Sequence, residues 1–210
     1  MSLALTGTES TLLWALVLGY LAAFLVTALL AAYVARHHWD TDIGRTFALL
    51  VSSLSVWILG SLVRLFTTDP GGYVAVTTLK FVGVATAPVF FVMFALLYAG
   101  YGSWVTRRSA GALLVVPTLE VLALATTLSH RLFYSSFALT SLGPVPILQT
   151  TSGPAFWIFA SYGWCLLVVG SVVFVSAAIR RSGLYREQAA VVTVAIAVSW
   201  AANVAYVLWN

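Results

Sequence analysis

The sequence predicts an all-α membrane protein: a bundle of about six transmembrane helices with a small β-hairpin-like outer loop between the fourth and fifth. Two observations carry that expectation. Of 210 residues, 61% are hydrophobic and only 8% are charged, and the mean hydropathy is +1.01. Soluble domains carry about 25% charged residues, which keep their surfaces wet. A chain with so few charges cannot cover a water-facing surface of ordinary size, so lipid must solvate most of it. The apolar residues also fall into runs of about 20 or more, the length a helix needs to cross the hydrocarbon core, separated mostly by short polar loops.

The first span is expected over about Thr11 to Ala35, closed by Arg36-His37-His38. A second, from about Arg45 to Phe66, ends before Asp69-Pro70-Gly71-Gly72, a strong helix-breaking cluster. The third runs from about Tyr73 to Ala99 and gives way to Gly100-Tyr101-Gly102-Ser103-Trp104. About Arg107 to Leu128 forms the fourth, stopping near Ser129-His130-Arg131. Phe133 to Thr151 follows, rich in Phe, Tyr, Ser and Thr and broken by Gly143-Pro144-Val145-Pro146. Two β-prone runs around a turn predict a hairpin over the outer mouth of the bundle. Its prolines make the second arm an edge strand. The fifth span, about Pro154 to Ile179, has proline in its first turn. The sixth covers about Tyr185 to Trp209. No linker or repeat interrupts residues 1–210, which read as a single domain.

Orientation follows from the loop arginines and the one lysine. With the N-terminus outside, Arg36, Arg45, Arg107, Arg108, Arg180, Arg181 and Arg186 lie inside, and only Arg64, Lys80 and Arg131 lie outside. An even number of spans then places Asn210 outside as well. A cleaved signal peptide does not fit, because no Lys or Arg precedes the first span and its apolar run is too long. The basic residues are scattered through short loops, which excludes a nucleic-acid stripe. Cys165, the single cysteine, rules out an intrachain disulfide.

Three ionisable residues stand out within the spans. Glu120 lies about twelve residues into the fourth span, close to mid-membrane at about 1.5 Å per residue. Pro117, three residues earlier, removes an N–H and frees a backbone carbonyl. A carboxyl at that depth should face the bundle interior and be paired or protonated. Arg64 and Lys80, nearer the outer ends of the second and third spans, are its candidate partners; the alternative is snorkelling to the interface. His130, beside Arg131, is a candidate site residue under the hairpin. His37-His38 reads as a solvated helix end rather than a metal site, since adjacent residues do not share a helix face. Trp39, Tyr73, Tyr101, Trp104, Tyr134, Trp157, Tyr185 and Trp209 fall near span ends as an aromatic belt. Trp57, Tyr162, Trp164 and Trp200 sit deeper. Nothing matches a phosphate loop, a zinc motif, a nucleophile elbow or a dinucleotide fingerprint, so no metal, cofactor or catalytic residue is expected.

A series of motifs in order resembles one family. Lys80-Phe81-Val82-Gly83 through Pro88-Val89-Phe90-Phe91 to Phe94-Ala95-Leu96-Leu97-Tyr98-Ala99-Gly100 looks like the third helix of the N-terminal seven-helix region of membrane histidine kinases. Trp104-Val105-Thr106-Arg107-Arg108 with Pro117 fits the same pattern, as does Ser129-His130-Arg131-Leu132-Phe133-Tyr134. So do Gly153-Pro154-Ala155-Phe156-Trp157, Tyr162 with Gly170, and Tyr185-Arg186-Glu187-Gln188-Ala189. The likeness extends from about Leu12 to Asn210. Arginine-rich, lysine-poor usage suits a high-GC prokaryote, and such domains are frequent in haloarchaea. The resemblance implies a sensory input domain in the cell membrane that detects an external or membrane ligand. Its expected partners are the lipid bilayer, cytoplasmic kinase or regulator modules in cis or trans, and a second copy in a homodimer; no nucleic acid is expected. The family places one more helix and a kinase after the sixth span. No phosphoacceptor or ATP-binding module occurs here, so the expectation is a non-enzyme: a fragment of a longer kinase or a free-standing sensor. Candidate ligand-binding or signalling residues are Glu120, Lys80, Arg64, His130, Tyr134, Trp157 and Tyr162.

The competing reading is a small transporter or channel with Glu120 as an ion or proton relay. Pro88 and Pro117 break the third and fourth spans, but the fifth and sixth lack the matching pair that inverted repeats would supply. A light-sensing rhodopsin fits less well, because its chromophore lysine belongs deep in the final helix and the only lysine is Lys80.

Overall fold

The computed structural model describes residues 7–142 and 145–179. Five of its helices are long and apolar enough to cross a membrane. They are α1 (Gly7–His37), α2 (Asp42–Arg64), α3 (Pro70–Tyr98), α4 (Arg107–Ala125) and α6 (Pro154–Ile179), with a short helix α5 (Thr127–His130) after α4. These match the first five expected spans to within a few residues. The sixth expected span, with Arg180, Arg181 and Arg186, lies outside the described residues, as does the turn at Gly143-Pro144.

Helix starts follow local chemistry. Thr41 caps α2 by accepting from the Gly44 N–H at 3.1 Å. Asp69 caps α3 by accepting from Gly72 at 2.6 Å, with Pro70 in the first turn where no N–H is needed. Thr106 and Ser109 form a reciprocal capping box at the start of α4. Between α3 and α4 a 3₁₀ turn over Gly102–Trp104 reverses the chain.

Helix α3 is the hub, packing against α2, α4 and α6, while α1 packs chiefly against α2. The α2–α3 contact is unusually close because small residues face each other. A Cβ on Gly83 would run into the carbonyl oxygen of Ser53 and stand 2.6 Å from the backbone nitrogen of Trp57. One on Gly60 would stand 2.8 Å from the Cα of Lys80. Ser53 and Thr86 bridge the same interface by a hydroxyl hydrogen bond of 2.9 Å. In lipid, where apolar surface gains nothing by leaving the solvent, such close packing and interhelical hydrogen bonds hold helices together.

The expected hairpin is present: β1 (Tyr134–Leu142) pairs antiparallel with β2 (Val145–Ser152), Leu139 facing Leu148 and Ser141 facing Pro146. Its base is anchored to the helices. Gly153 N–H donates to the Phe133 carbonyl at 2.7 Å, and Ala155 N–H to that of Leu132 at 3.1 Å. Two buried clusters result. The one at the hairpin end gathers Tyr73, Phe81, Leu124, Phe133, Tyr134 and Leu148. The other gathers Ala95, Phe174 and Ala178, with Phe94 and Tyr98 against them, at the opposite end of α3. Tyr73 and Tyr134 therefore depart from the expected belt: they are 4% and 5% exposed because the hairpin closes over them. Trp39, Tyr101, Trp104 and Trp157 remain exposed near helix ends.

Candidate functional site

The C-terminal ends of α2 and α4, the N-terminal end of α3 and the hairpin base converge on Tyr73. It lies seven residues before Lys80 on α3, so Tyr73, Thr77 and Lys80 share one helix face. Arg64, the last residue of α2, donates to the Tyr73 hydroxyl at 3.2 Å, and its guanidinium carbon stands 5.7 Å from the Tyr73 ring centre. Lys80 sits where Gly60 lets α2 approach, within coulombic reach of Arg64, with its ammonium 5.9 Å from the Phe81 ring centre. Aromatic faces attract cations, so both positive groups are held by rings rather than by carboxylates. Thr77 is fully buried and its hydroxyl has no hydrogen-bond partner among the described residues.

Tyr134 joins this region from the hairpin. Its ring lies 6.5 Å from that of Tyr73, and its backbone N–H donates to the Thr127 hydroxyl at 3.0 Å. Beneath them Phe133, fully buried, makes edge contacts with Phe81 at 5.3 Å and Phe156 at 5.6 Å and stacks on Phe159 at 6.3 Å.

Glu120 is buried on α4, one turn beyond Pro117, on the face that carries Leu124 and Thr127. The interior placement agrees with expectation. The expected pairing with Arg64 or Lys80 does not form: the one ion pair among the described residues is Arg45–Asp42. The physical reason is that Arg64 and Lys80 are engaged by Tyr73 and Phe81 nearer the outer end of the bundle.

His130 serves the turn rather than this cluster. Its Nδ1 accepts from the Leu132 N–H at 3.0 Å, which leaves Nε2–H to donate to the Thr126 hydroxyl at 3.0 Å. Next to it Arg131 takes a left-handed conformation, φ 55°, closing α5. Trp157 is exposed near the start of α6. Tyr162 lies further along α6, and its hydroxyl donates to the Leu113 carbonyl of α4 at 2.8 Å. Thus Arg64 and Tyr134 meet at Tyr73, and Lys80 lies two turns along the same face of α3, while Glu120, His130, Trp157 and Tyr162 occupy separate positions. Tyr73 and Thr77 were not among the expected site residues. The available signal was spacing: Tyr73 and Thr77 are four apart, and they precede Lys80 by seven and three residues.

With this arrangement established, the comparison with known families is decisive: residues 19–210 match the N-terminal 7TM region of histidine kinase. The chain belongs to that family. It is a membrane sensory input region of the kind attached to histidine kinases, and the modules such a region serves are cytoplasmic kinase modules. The match is to the sensor region and not to a catalytic kinase domain. No curated protein and no solved structure matches the chain.

Proposed function

We propose that this histidine-kinase sensor region lies with its N-terminus outside and detects a ligand at the cluster of Arg64, Tyr73 and Lys80, beside the hairpin base. The orientation is supported by the arginines of the loops on the other side, Arg36, Arg45, Arg107 and Arg108. The single observation that carries the site is the pair of cations held in the outer half of the bundle with no carboxylate beside them among the described residues. Helix α3 reaches from this cluster to the second aromatic cluster, where Tyr98 stacks on Phe174 at 4.7 Å. A ligand that favours one packing of α3 over another thereby biases α6 at the inner end, and the signal equals its differential affinity for the two packings. Glu120, buried in the same bundle, is assigned to that packing equilibrium.

The test is autophosphorylation, in membranes, of the kinase that this region serves. Lys80→Ala and Glu120→Ala are each expected to shift the ratio of stimulated to basal activity at unchanged protein level. Unchanged output in both variants would remove the proposed site.

A further inference from the structure

We infer that the Arg64–Lys80 cluster is a binding site for one anionic group, a carboxylate or a phosphate; the inference rests on the sensor reading above for its role, though not for its chemistry. The argument begins with cost. A cation drawn beneath the membrane surface is expensive unless a counter-charge or water offsets it. Here there are two, on facing helices: Gly60 of α2 packs directly against Lys80, and Arg64 lies one turn beyond Gly60. Neither has a carboxylate within ion-pair distance among the described residues. The groups that do engage them are neutral: the Tyr73 hydroxyl and ring for Arg64, and the Phe81 ring for Lys80.

The donors are also of the right type. Arginine presents a planar fork matched to two oxygens, and lysine adds a point charge with three donors. On the same face of α3, Thr77 lies one turn from Tyr73 and three residues from Lys80, fully buried with its hydroxyl unpartnered among the described residues. Buried hydroxyls are almost always hydrogen-bonded, so an orphan beside two uncompensated cations marks a place where an acceptor belongs. The other acidic residues near this end do not supply it. Asp69 is used in capping α3, and Glu120 lies deeper on α4 with no cation in pairing distance among the described residues.

The anion has two sources with the same chemistry: a soluble carboxylate or phosphate, or the phosphate of a lipid headgroup. The full chain is purified in an uncharged maltoside detergent and its tryptophan fluorescence is titrated in two arms. One arm uses acetate and inorganic phosphate; the other uses a short-chain phosphatidic acid. Saturable binding is expected in at least one arm, and the arm that saturates names the source. Lys80→Gln and Arg64→Gln should each weaken it about tenfold, as loss of a hydrogen bond to a charged group does. Arg64→Lys and Lys80→Arg keep the charge and should keep binding within a few-fold of wild type, which also guards against variants that fail to fold. No saturation in either arm, or equal affinity in the Gln variants, would overturn the site. Anion binding that is lost in the Gln variants while kinase output stays unchanged would leave the site standing and remove the sensor role assigned to it.

Discussion

The Tyr162 hydroxyl donates to the backbone carbonyl of Leu113 at 2.8 Å, and Leu113 is the residue four positions before Pro117. In a regular helix that carbonyl would accept from the N–H of residue 117, which proline lacks. An interhelical bond from α6 therefore replaces the bond that α4 cannot make. In a membrane, freed backbone groups of this kind must be satisfied within the protein.

That replacement can be measured by a double-mutant cycle. Tyr162→Phe should destabilise the fold by about 1 kcal/mol, read by thermal or SDS unfolding in detergent. Pro117→Ala restores an N–H to α4, so the cost of Tyr162→Phe should fall towards zero in that background. Equal costs in the two backgrounds would show that the hydroxyl is not serving the proline.

Close approach of α2 and α3 makes a second expectation. Gly83→Ala places a methyl against the Ser53 carbonyl and the Trp57 nitrogen, and should cost about 1–3 kcal/mol as over-packing does. Gly111→Ala is the control, because nothing lies within 4 Å of a Cβ there. It should leave stability unchanged or raise it by up to about 1 kcal/mol through helix propensity.

Phe133 joins the hairpin base to α3 and α6 through four ring neighbours: Phe81, Tyr134, Phe156 and Phe159. Phe133→Ala should cost about 3–5 kcal/mol, the usual range for a buried phenyl ring, and should raise protease sensitivity within Tyr134–Ser152 before the helices yield. If the hairpin stays protected, its anchoring lies elsewhere.

Orientation is checked by cysteine labelling in a Cys165→Ala background. A cysteine at Thr68, between α2 and α3, should react with a membrane-impermeant maleimide on intact cells. One at Ser103, in the turn after α3, should react only after permeabilisation. Both side chains are exposed. The reversed pattern would invert the proposed topology.

Much of this was legible in the sequence. Composition and run length gave the five described membrane-length helices, and Asp69-Pro70-Gly71-Gly72 and Thr106 marked their starts through local capping. The hairpin was legible too, because β-prone runs around Gly143-Pro144 leave few alternatives. Partners across helices were not. Helix periodicity puts Glu120 and Lys80 in their spans but does not fix how neighbouring helices are rotated or offset, so the expected Glu120 pair was a guess about register. The close approach at Gly60 and Gly83 fixes that register, and it brings Lys80 beside Arg64. Tyr73 and Tyr134 looked like belt residues because position along a span cannot reveal that a hairpin folds back over them.

The central claim is that the state of the Arg64–Lys80 cluster reaches the opposite end of α3 and its contact with α6. Spin labels at Ser103 and Ser176, in the Cys165→Ala background and in nanodiscs, report that end directly as a distance distribution. Against the otherwise wild-type chain, Lys80→Gln should move the main distance by about 1–2 Å, the scale of a helix shift, or redistribute its populations. Superimposable distributions, with the variant folded, would contradict the account.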